Sequence, residues 1–380
     1  MNFTLDSDQK LIQDMVREFA ANELAPEAEE YDKTGKFPWS NIKKMAALGL
    51  MGMIVPEQYG GGGMDFLSLA IAVEEISKAC ASTGVIVAVN QSLTAYPILK
   101  FGSEELKKMC LPDLAAAKKI GAFGLTEANA GSDPASIETT ARLDGDHYII
   151  NGSKRFITNG GEAGIFIIFA VTDKEKKHKG ISAFIVDRDT PGFSVGKHED
   201  LMGLRATANC ELLFDDCKVP GNNLLGQEGD GFKIAMHTID TSRIDIGAQA
   251  VGIAQAALDS SLQYSKERKT FGKPICEYEM IQSKLAEMAV RIDAARLLTY
   301  RAAALKDSGA ERYTKEAAMA KYMAAEACMY SVREAVQIYG GYGYTKDYPV
   351  ERFFRDAKVM EIYEGTSEIQ KLVIAKNLLS

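Results

Sequence analysis

Asp144-Gly145-Asp146-His147-Tyr148-Ile149-Ile150-Asn151-Gly152 is the stretch on which the fold turns. Asp-Gly and Asn-Gly pairs flank a short run of aromatic and β-branched residues, which predicts a strand between two hairpin turns. Outward from it, Ile165 to Val171, Ile181 to Val186, Phe193 to Lys197 and Glu211 to Phe214 repeat the pattern. Strand follows strand from about Gly121 to Leu225 with no helix between, which indicates an antiparallel barrel or sandwich. The alternating strand and helix of a dinucleotide-binding sheet is not found.

On either side the period becomes helical. Leu11, Ile12, Met15, Val16 and Phe19 keep helical spacing after the capping candidates Asp6 and Ser7, and Pro26 bends or ends that segment. Pro38 opens a second helix that Gly49 closes, Asp65 starts another, and Ser103-Glu104-Glu105 marks a further start. After Gly229 come long helices over about Phe232 to Lys266, Tyr278 to Ser308 and Thr314 to Ile338, with a last one from Thr366. Short connections between long helices favour an antiparallel bundle. The chain therefore reads as an α+β multidomain protein: a helical domain over 1–118, a β domain over 119–228 and a helical bundle over 229–380.

Composition narrows the function. With 380 residues, 46% hydrophobic and 25% charged, the chain is globular and long enough for several domains. A formal net charge of -8 argues against nucleic acid, because phosphate backbones need a basic footprint. Six scattered cysteines without a C-x-x-C pair read as free thiols, and four dispersed histidines give no metal site. No apolar run approaches the roughly 20 residues that span a bilayer. Met1 runs almost directly into a polar helical pattern, so the expectation is no leader and a soluble, cytoplasmic, bacterial-type chain.

The chemistry-bearing motifs lie in loops. Near the C-terminus, Ile362-Tyr363-Glu364-Gly365-Thr366 places a carboxylate on a glycine-containing turn beside an aromatic ring, the setting of a general base. Leu125-Thr126-Glu127-Ala128-Asn129-Ala130-Gly131-Ser132-Asp133 offers hydroxyls and carboxylates after a strand, and Arg155-Phe156-Ile157-Thr158-Asn159-Gly160-Gly161 ends another. Two polar loops with an aromatic on one β layer suit a flat heteroaromatic ring that needs hydrogen bonds at its edge. Glu267-Arg268-Lys269-Thr270-Phe271-Gly272 could meet a pyrophosphate or be a solvated helix end. Tyr339-Gly340-Gly341 fits a helix cap and a close ligand approach equally well.

In this order these motifs resemble the acyl-CoA dehydrogenase family. Leu125-Thr126-Glu127 through Gly131-Ser132-Asp133, Phe156-Ile157-Thr158-Asn159, Arg268 with Phe271, Gln337 with Gly340-Gly341, and Ile362 to Thr366 carry the resemblance over essentially the whole chain. It implies an N-terminal helical domain, a middle β domain and a C-terminal four-helix bundle, with FAD bound without a Rossmann fingerprint. By resemblance, Phe123, Leu125, Thr126 and Ser132, with Phe156, Ile157 and Thr158, hold the isoalloxazine ring. Thr126 and Thr158 bond its edge. Arg268, Phe271, Gln337, Gly340 and Gly341 meet the ADP half of a neighbouring subunit's FAD, and Thr366 and Glu368 complete the nucleotide site. A homo-oligomer, usually a tetramer, follows.

The resemblance also assigns Glu364 as the base that takes the α proton of an acyl-CoA thioester while hydride leaves the β carbon. The backbone N–H of Glu364 and a flavin ribityl hydroxyl receive the developing charge. Ser132, Asp240, Arg243, Tyr363 and Gly365 line the substrate. Some members carry the base just before the arginine that here is Arg243; Ser242 occupies that place and leaves Glu364 alone. Electrons would pass to an electron-transferring flavoprotein. The alternatives are the reverse reaction on a conjugated aromatic or cyclic enoyl-CoA, and a catalytically silent binding homologue. Ala128 replaces a usual proline, Glu279 a usual glutamine and Thr241-Ser242 a pair of glycines. Asn90 and Gln91 bring amides toward the expected acyl pocket.

Overall fold

The computed structural model describes residues 4–379; Met1 lies outside them. Helices α1 (Ser7–Phe19), α2 (Ala28–Thr34), α3 (Trp39–Ala47), α4 (Phe66–Ala79), α5 (Ala81–Ala88), α6 (Tyr96–Phe101) and α7 (Glu104–Ala115) come first. The expected capping signals act: Asp6 accepts from the N–H groups of Asp8 and Gln9, Asp65 from that of Ser68, and Ser103 from that of Leu106. Pro26 sits in a single 3₁₀ turn, Ala25–Glu27, that joins α1 to α2 through a π-helical segment, Ala20–Leu24. A second π-helical segment, Val89–Ala95, links α5 to α6 and is buried throughout.

Eight strands follow: β1 (Gly121–Gly124), β2 (Thr140–Asp144), β3 (His147–Ile157), β4 (Ile165–Val171), β5 (Ile181–Asp187), β6 (Phe193–His198), β7 (Cys210–Pro220) and β8 (Leu224–Leu225). They form one sheet in the order β6-β7-β3-β2-β4-β5-β8, with β1 added on β4. Most pairings are antiparallel, but β1 runs parallel to β4, as does the single β2–β4 contact of Thr140 with Val171.

One turn expectation fails. Asn151-Gly152 is not a hairpin turn but a bulge inside β3, where the register against β7 shifts between Ile150 and Gly152. Gly152 has φ 141°, and a Cβ there would meet Thr139 Oγ1 at 2.7 Å. The local Asn-Gly signal is overridden because eight residues of the eleven-residue β3 pair along β7, whereas Asp144-Gly145-Asp146 does make the β2–β3 turn.

The polypeptide then returns to helices: α8 (Gly231–Glu267), a small hairpin of β9 (Lys269–Thr270) and β10 (Lys273–Pro274), α9 (Glu279–Asp307), α10 (Thr314–Tyr339), α11 (Val350–Ala357) and α12 (Ser367–Leu379). Sequence periodicity missed α11, whose eight residues are too few to establish a period. Helix α8 is 37 residues long and packs on α4, α9 and α10, so its faces join the two helical layers. Its buried residues run almost unbroken from Thr241 to Leu258. No helix among the described residues is long and apolar enough to cross a membrane.

Lys154, fully buried on β3, donates to Glu127 Oε1 at 2.6 Å and to the carbonyl of Leu125 at 3.3 Å. Glu127 also accepts from the N–H groups of Glu138 and Thr139. The pair ties the loop after β1 to the sheet. Breaking a buried pair leaves one uncompensated charge, so Lys154→Met is expected to destabilise the protein by about 3–5 kcal/mol. Lys154→Met/Glu127→Gln, which removes the stranded charge but keeps an acceptor for Thr139, should recover part of that loss. Urea denaturation of the three proteins followed by circular dichroism measures both effects.

Candidate active site

Glu364 lies on a turn that local preferences alone would not hold. Its φ is 53°, a left-handed value that costs a non-glycine residue of order 1–3 kcal/mol. Gly365 follows at φ 91°, where a side chain would be strained and a Cβ would strike Gln370 Nε2 at 2.6 Å. Side chains from three helices keep the turn in place. Arg243 of α8 donates through Nε to the Glu364 carbonyl at 3.3 Å. Gln370 of α12 donates to the carbonyls of Glu364 and Gly365, each at 2.9 Å. Lys321 of α10 donates to the Gly365 carbonyl at 2.8 Å. Arg243 is itself anchored on Asp240 Oδ1 at 2.7 Å, and Asp240 accepts from Thr314 Oγ1 at 2.6 Å. Beside them Tyr363 donates from its hydroxyl to Gln249 Oε1 at 2.6 Å.

The electrostatics suit a base. Burial raises the Glu364 carboxyl above its ordinary value, against the opposing pull of the Ser242 hydroxyl, the Arg243 guanidinium and the Lys321 ammonium. Its Oε2 is buried and has no hydrogen-bond partner among the described residues. Burial also lowers Lys321 to about 8, with the Glu364 carboxylate acting in the opposite direction. Burial raises Asp240 as well, opposed first by Arg243.

A second group of predicted residues gathers at the end of β3. The Arg155 N–H donates to the Thr126 carbonyl at 2.9 Å, so the two polar loops are stitched together. Phe156 is 60% exposed at φ 58°, and its ring is turned away from the core. Thr158 Oγ1 accepts from Asn209 at 3.4 Å. Leu125 and Ile157 belong to the core, so a ligand could meet only their backbone, and Phe123 packs on Phe169 with centroids 4.9 Å apart. Ser132 is exposed on the same loop. Thr366 caps α12 by accepting from the Ile369 N–H at 3.3 Å, and Glu368 points to solvent.

The remaining predicted residues stand apart. Arg268 ends α8, 25 residues beyond Arg243 in the sequence, which along a helix is about 37 Å. Its guanidinium sits 5.5 Å from the Tyr342 ring centroid. Phe271, at the tip of the β9–β10 hairpin, is 95% exposed, and Gln337, Gly340 and Gly341 are exposed at the end of α10. A Cβ on Gly340 or Gly341 would meet nothing within 4 Å.

Comparison with known proteins fits this geometry. The family description "Acyl-CoA dehydrogenase, N-terminal domain" matches residues 6–118, the middle-domain description 122–217 and the C-terminal one 229–379. The short-chain specific acyl-CoA dehydrogenase of Clostridium acetobutylicum is 53% identical over 375 residues, covering 99% of each chain. This chain belongs to the acyl-CoA dehydrogenase family. Among solved structures, butyryl-CoA dehydrogenase of Megasphaera elsdenii superposes with a TM-score of 0.98 at 47% identity, over 100% of both chains. A chain from the structure of the electron transferring flavoprotein of Acidaminococcus fermentans gives 0.98 at 50% identity, also over 100% of both. A glutaryl-CoA dehydrogenase of Mycobacterium smegmatis in complex with FADH2 gives 0.93 at 34% identity, covering 98% of this chain and 95% of that one.

The cofactor of this acyl-CoA dehydrogenase is FAD. The β-domain loops fit such a ring: an outward aromatic at Phe156, hydroxyls at Thr126 and Thr158, and buried Asn159 Oδ1 and Asn209 Oδ1 without partners among the described residues. Sequence reasoning overlooked the helical grips on the turn, Lys321, Gln370 and Gln249. Lys321 could have been found, since it falls in register with Ala317, Ala324 and Cys328 on the buried face of α10. One expectation is corrected. Asn90 donates to the carbonyls of Met51 and Leu114 and accepts from the Gly121 N–H, and Gln91 bonds Leu50 and Ile54. Their amides fasten the π-helical segment to its neighbours and leave little to offer an acyl chain.

Removing the Lys321 charge disfavours the Glu364 carboxylate, so its pKa rises. In Lys321→Met the acid limb of the kcat/KM–pH profile is expected to move to higher pH, with activity lost sooner as pH falls. A limb that stays in place or moves to lower pH would contradict the electrostatic role.

Proposed function

We propose that this protein removes hydrogen across the α and β carbons of a short-chain acyl-CoA thioester, with Glu364 as the base. The observation that carries this reading is the Glu364 carboxyl: buried, raised in pKa, with Oε2 unpaired and its backbone fixed from three helices. A proton on the carbon α to a thioester is weakly acidic, so its acceptor must be positioned and poorly solvated. Binding a thioester over the turn excludes further water and brings the acceptor closer to the working pH. In this reading the backbone N–H of Glu364 is the donor for the charge that develops on the thioester oxygen. When bound, FAD supplies the acceptor for the hydride that leaves the β carbon. Arg243 and Asp240 act on the turn itself, and the exposed Ser132 is the residue this reading assigns to the CoA side.

The likeness to the Acidaminococcus fermentans chain supports an electron-transferring flavoprotein as the electron acceptor. The exposed cluster of Arg268, Phe271, Gln337, Gly340 and Gly341 lies too far along α8 to share a ligand with its own Glu364. It supports a homo-oligomer, a tetramer in this reading, in which each copy holds the ADP half of a neighbour's FAD.

Glu364→Gln should retain stoichiometric FAD and lose bleaching of the bound flavin by butyryl-CoA. Undiminished bleaching in that variant would refute the assignment. Arg268→Glu should weaken FAD retention by about tenfold or more, from the loss of a charged contact. Equilibrium dialysis against free FAD reads this out, and unchanged affinity would remove Arg268 from the nucleotide site.

A further inference from the structure

Asp245 is a carboxyl group in the middle of α8 with 0% exposure, and among the described residues neither of its oxygens has a partner at hydrogen-bond geometry. A group of this kind is costly to bury unless something meets it. Its place on the helix shows where that partner would come from. Ser242, Asp245 and Gln249 are spaced three and four residues apart, so they share one face of α8. The first of them reaches the Glu364 carboxyl and the last holds the Tyr363 hydroxyl at 2.6 Å. Asp245 therefore lies between Ser242 and Gln249, two of the residues through which α8 meets the Tyr363-Glu364 turn, one helical turn from Ser242.

The surroundings of Asp245 are polar and already paired among themselves. Thr241, one turn earlier, shares a 2.7 Å hydrogen bond with the Tyr313 hydroxyl, to which Lys306 donates at 3.2 Å. Lys306 stacks over the rings of Phe66 and Tyr96 at 4.1 and 3.8 Å. The Ser92 hydroxyl approaches Asp245 from the π-helical segment but donates to the Ala88 carbonyl at 2.8 Å. Such segments are rare and concentrate at functional sites. The charged neighbours of Asp245 are Lys306, Asp307 and Glu364, and burial holds the Asp245 carboxyl at about 7. Ser92 has one hydroxyl proton to share between Ala88 and Asp245, so at least one Asp245 oxygen is left without a donor.

We infer that Asp245 forms a polar subsite for the far end of the acyl chain, accepting a hydrogen bond from a hydroxyl-bearing acyl-CoA a few carbons beyond the reacting pair. This inference rests on the dehydrogenase reading of Glu364 and sharpens its substrate class. A site built to bond a substrate hydroxyl rejects an analogue that lacks it, because the buried acceptor is left unpaired.

The test uses the FAD-loaded enzyme and length-matched pairs: ω-hydroxyacyl-CoA against plain acyl-CoA, from four to six carbons. Flavin bleaching gives kcat/KM for each. The wild type should favour one hydroxylated substrate over its plain partner by at least tenfold. In Asp245→Leu that preference should reverse, with FAD content confirming the fold. Equal ratios in wild type and Asp245→Leu would overturn the inference while leaving Glu364 as the base. So would a wild-type preference for plain chains at every length, with water then satisfying Asp245. A variant that shifts only the acid limb of the pH profile, with the substrate ratio unchanged, would overturn it too, since Asp245 would then act only on the Glu364 charge. If no acyl-CoA bleaches the wild-type flavin, both this inference and the dehydrogenase reading fall.

Discussion

The guanidinium of Arg243 donates to the carbonyl of Glu364 at 3.3 Å and to Asp240 at 2.7 Å, and is almost entirely buried in doing so. It couples the interior of the longest helix to a turn whose backbone is in a disfavoured conformation. A positive φ at a glutamate does not persist on local preference, so the surrounding helices must over-determine it. Lys321 and Gln370 complete that constraint from α10 and α12. Because the grips fall on backbone carbonyls, Oε2 of the carboxylate is left unpaired among the described residues.

The same helix organises the molecule over a longer distance. Near its middle it presents Ser242, Asp245 and Gln249 to the turn; at its end it delivers Arg268 to the surface beside Tyr342. A helix of this length separates the Glu364 turn from the exposed glycine-rich corner. The β domain contributes a different kind of rigidity. The buried Lys154–Glu127 pair and the Arg155-to-Thr126 bond fix two loops to one sheet, so the hydroxyls of Thr126 and Thr158 are held by structure that does not depend on a ligand.

Much of the fold was legible because the relevant signals are local. Asp6, Asp65 and Ser103 cap their helices as their side chains dictate, and Asp144-Gly145-Asp146 turns the chain between β2 and β3. The failures came where pairing outweighed local preference. Asn151-Gly152 carries a strong turn signal, yet the length of the β3–β7 ladder converts it into a bulge. The parallel seating of β1 on β4 joins segments some forty residues apart, and no pattern within either strand encodes it. Asn90 and Gln91 looked available to a substrate because the backbone groups that occupy them come from distant parts of the chain.

The sequence by itself determined the order of helical, β and helical segments, the family, and Glu364 as the carboxylate to examine, since each depends on residue type, period or motif. Tertiary structure alone decided how that carboxylate is held and what surrounds it. Lys321, Gln370 and Gln249 lie 43, 6 and 115 residues away along the chain and converge only when α8, α10 and α12 pack. Asp245 reads in the sequence as one acid among many. Only burial, which removes water and leaves at least one of its oxygens unpaired, gives it a part in choosing the acyl chain.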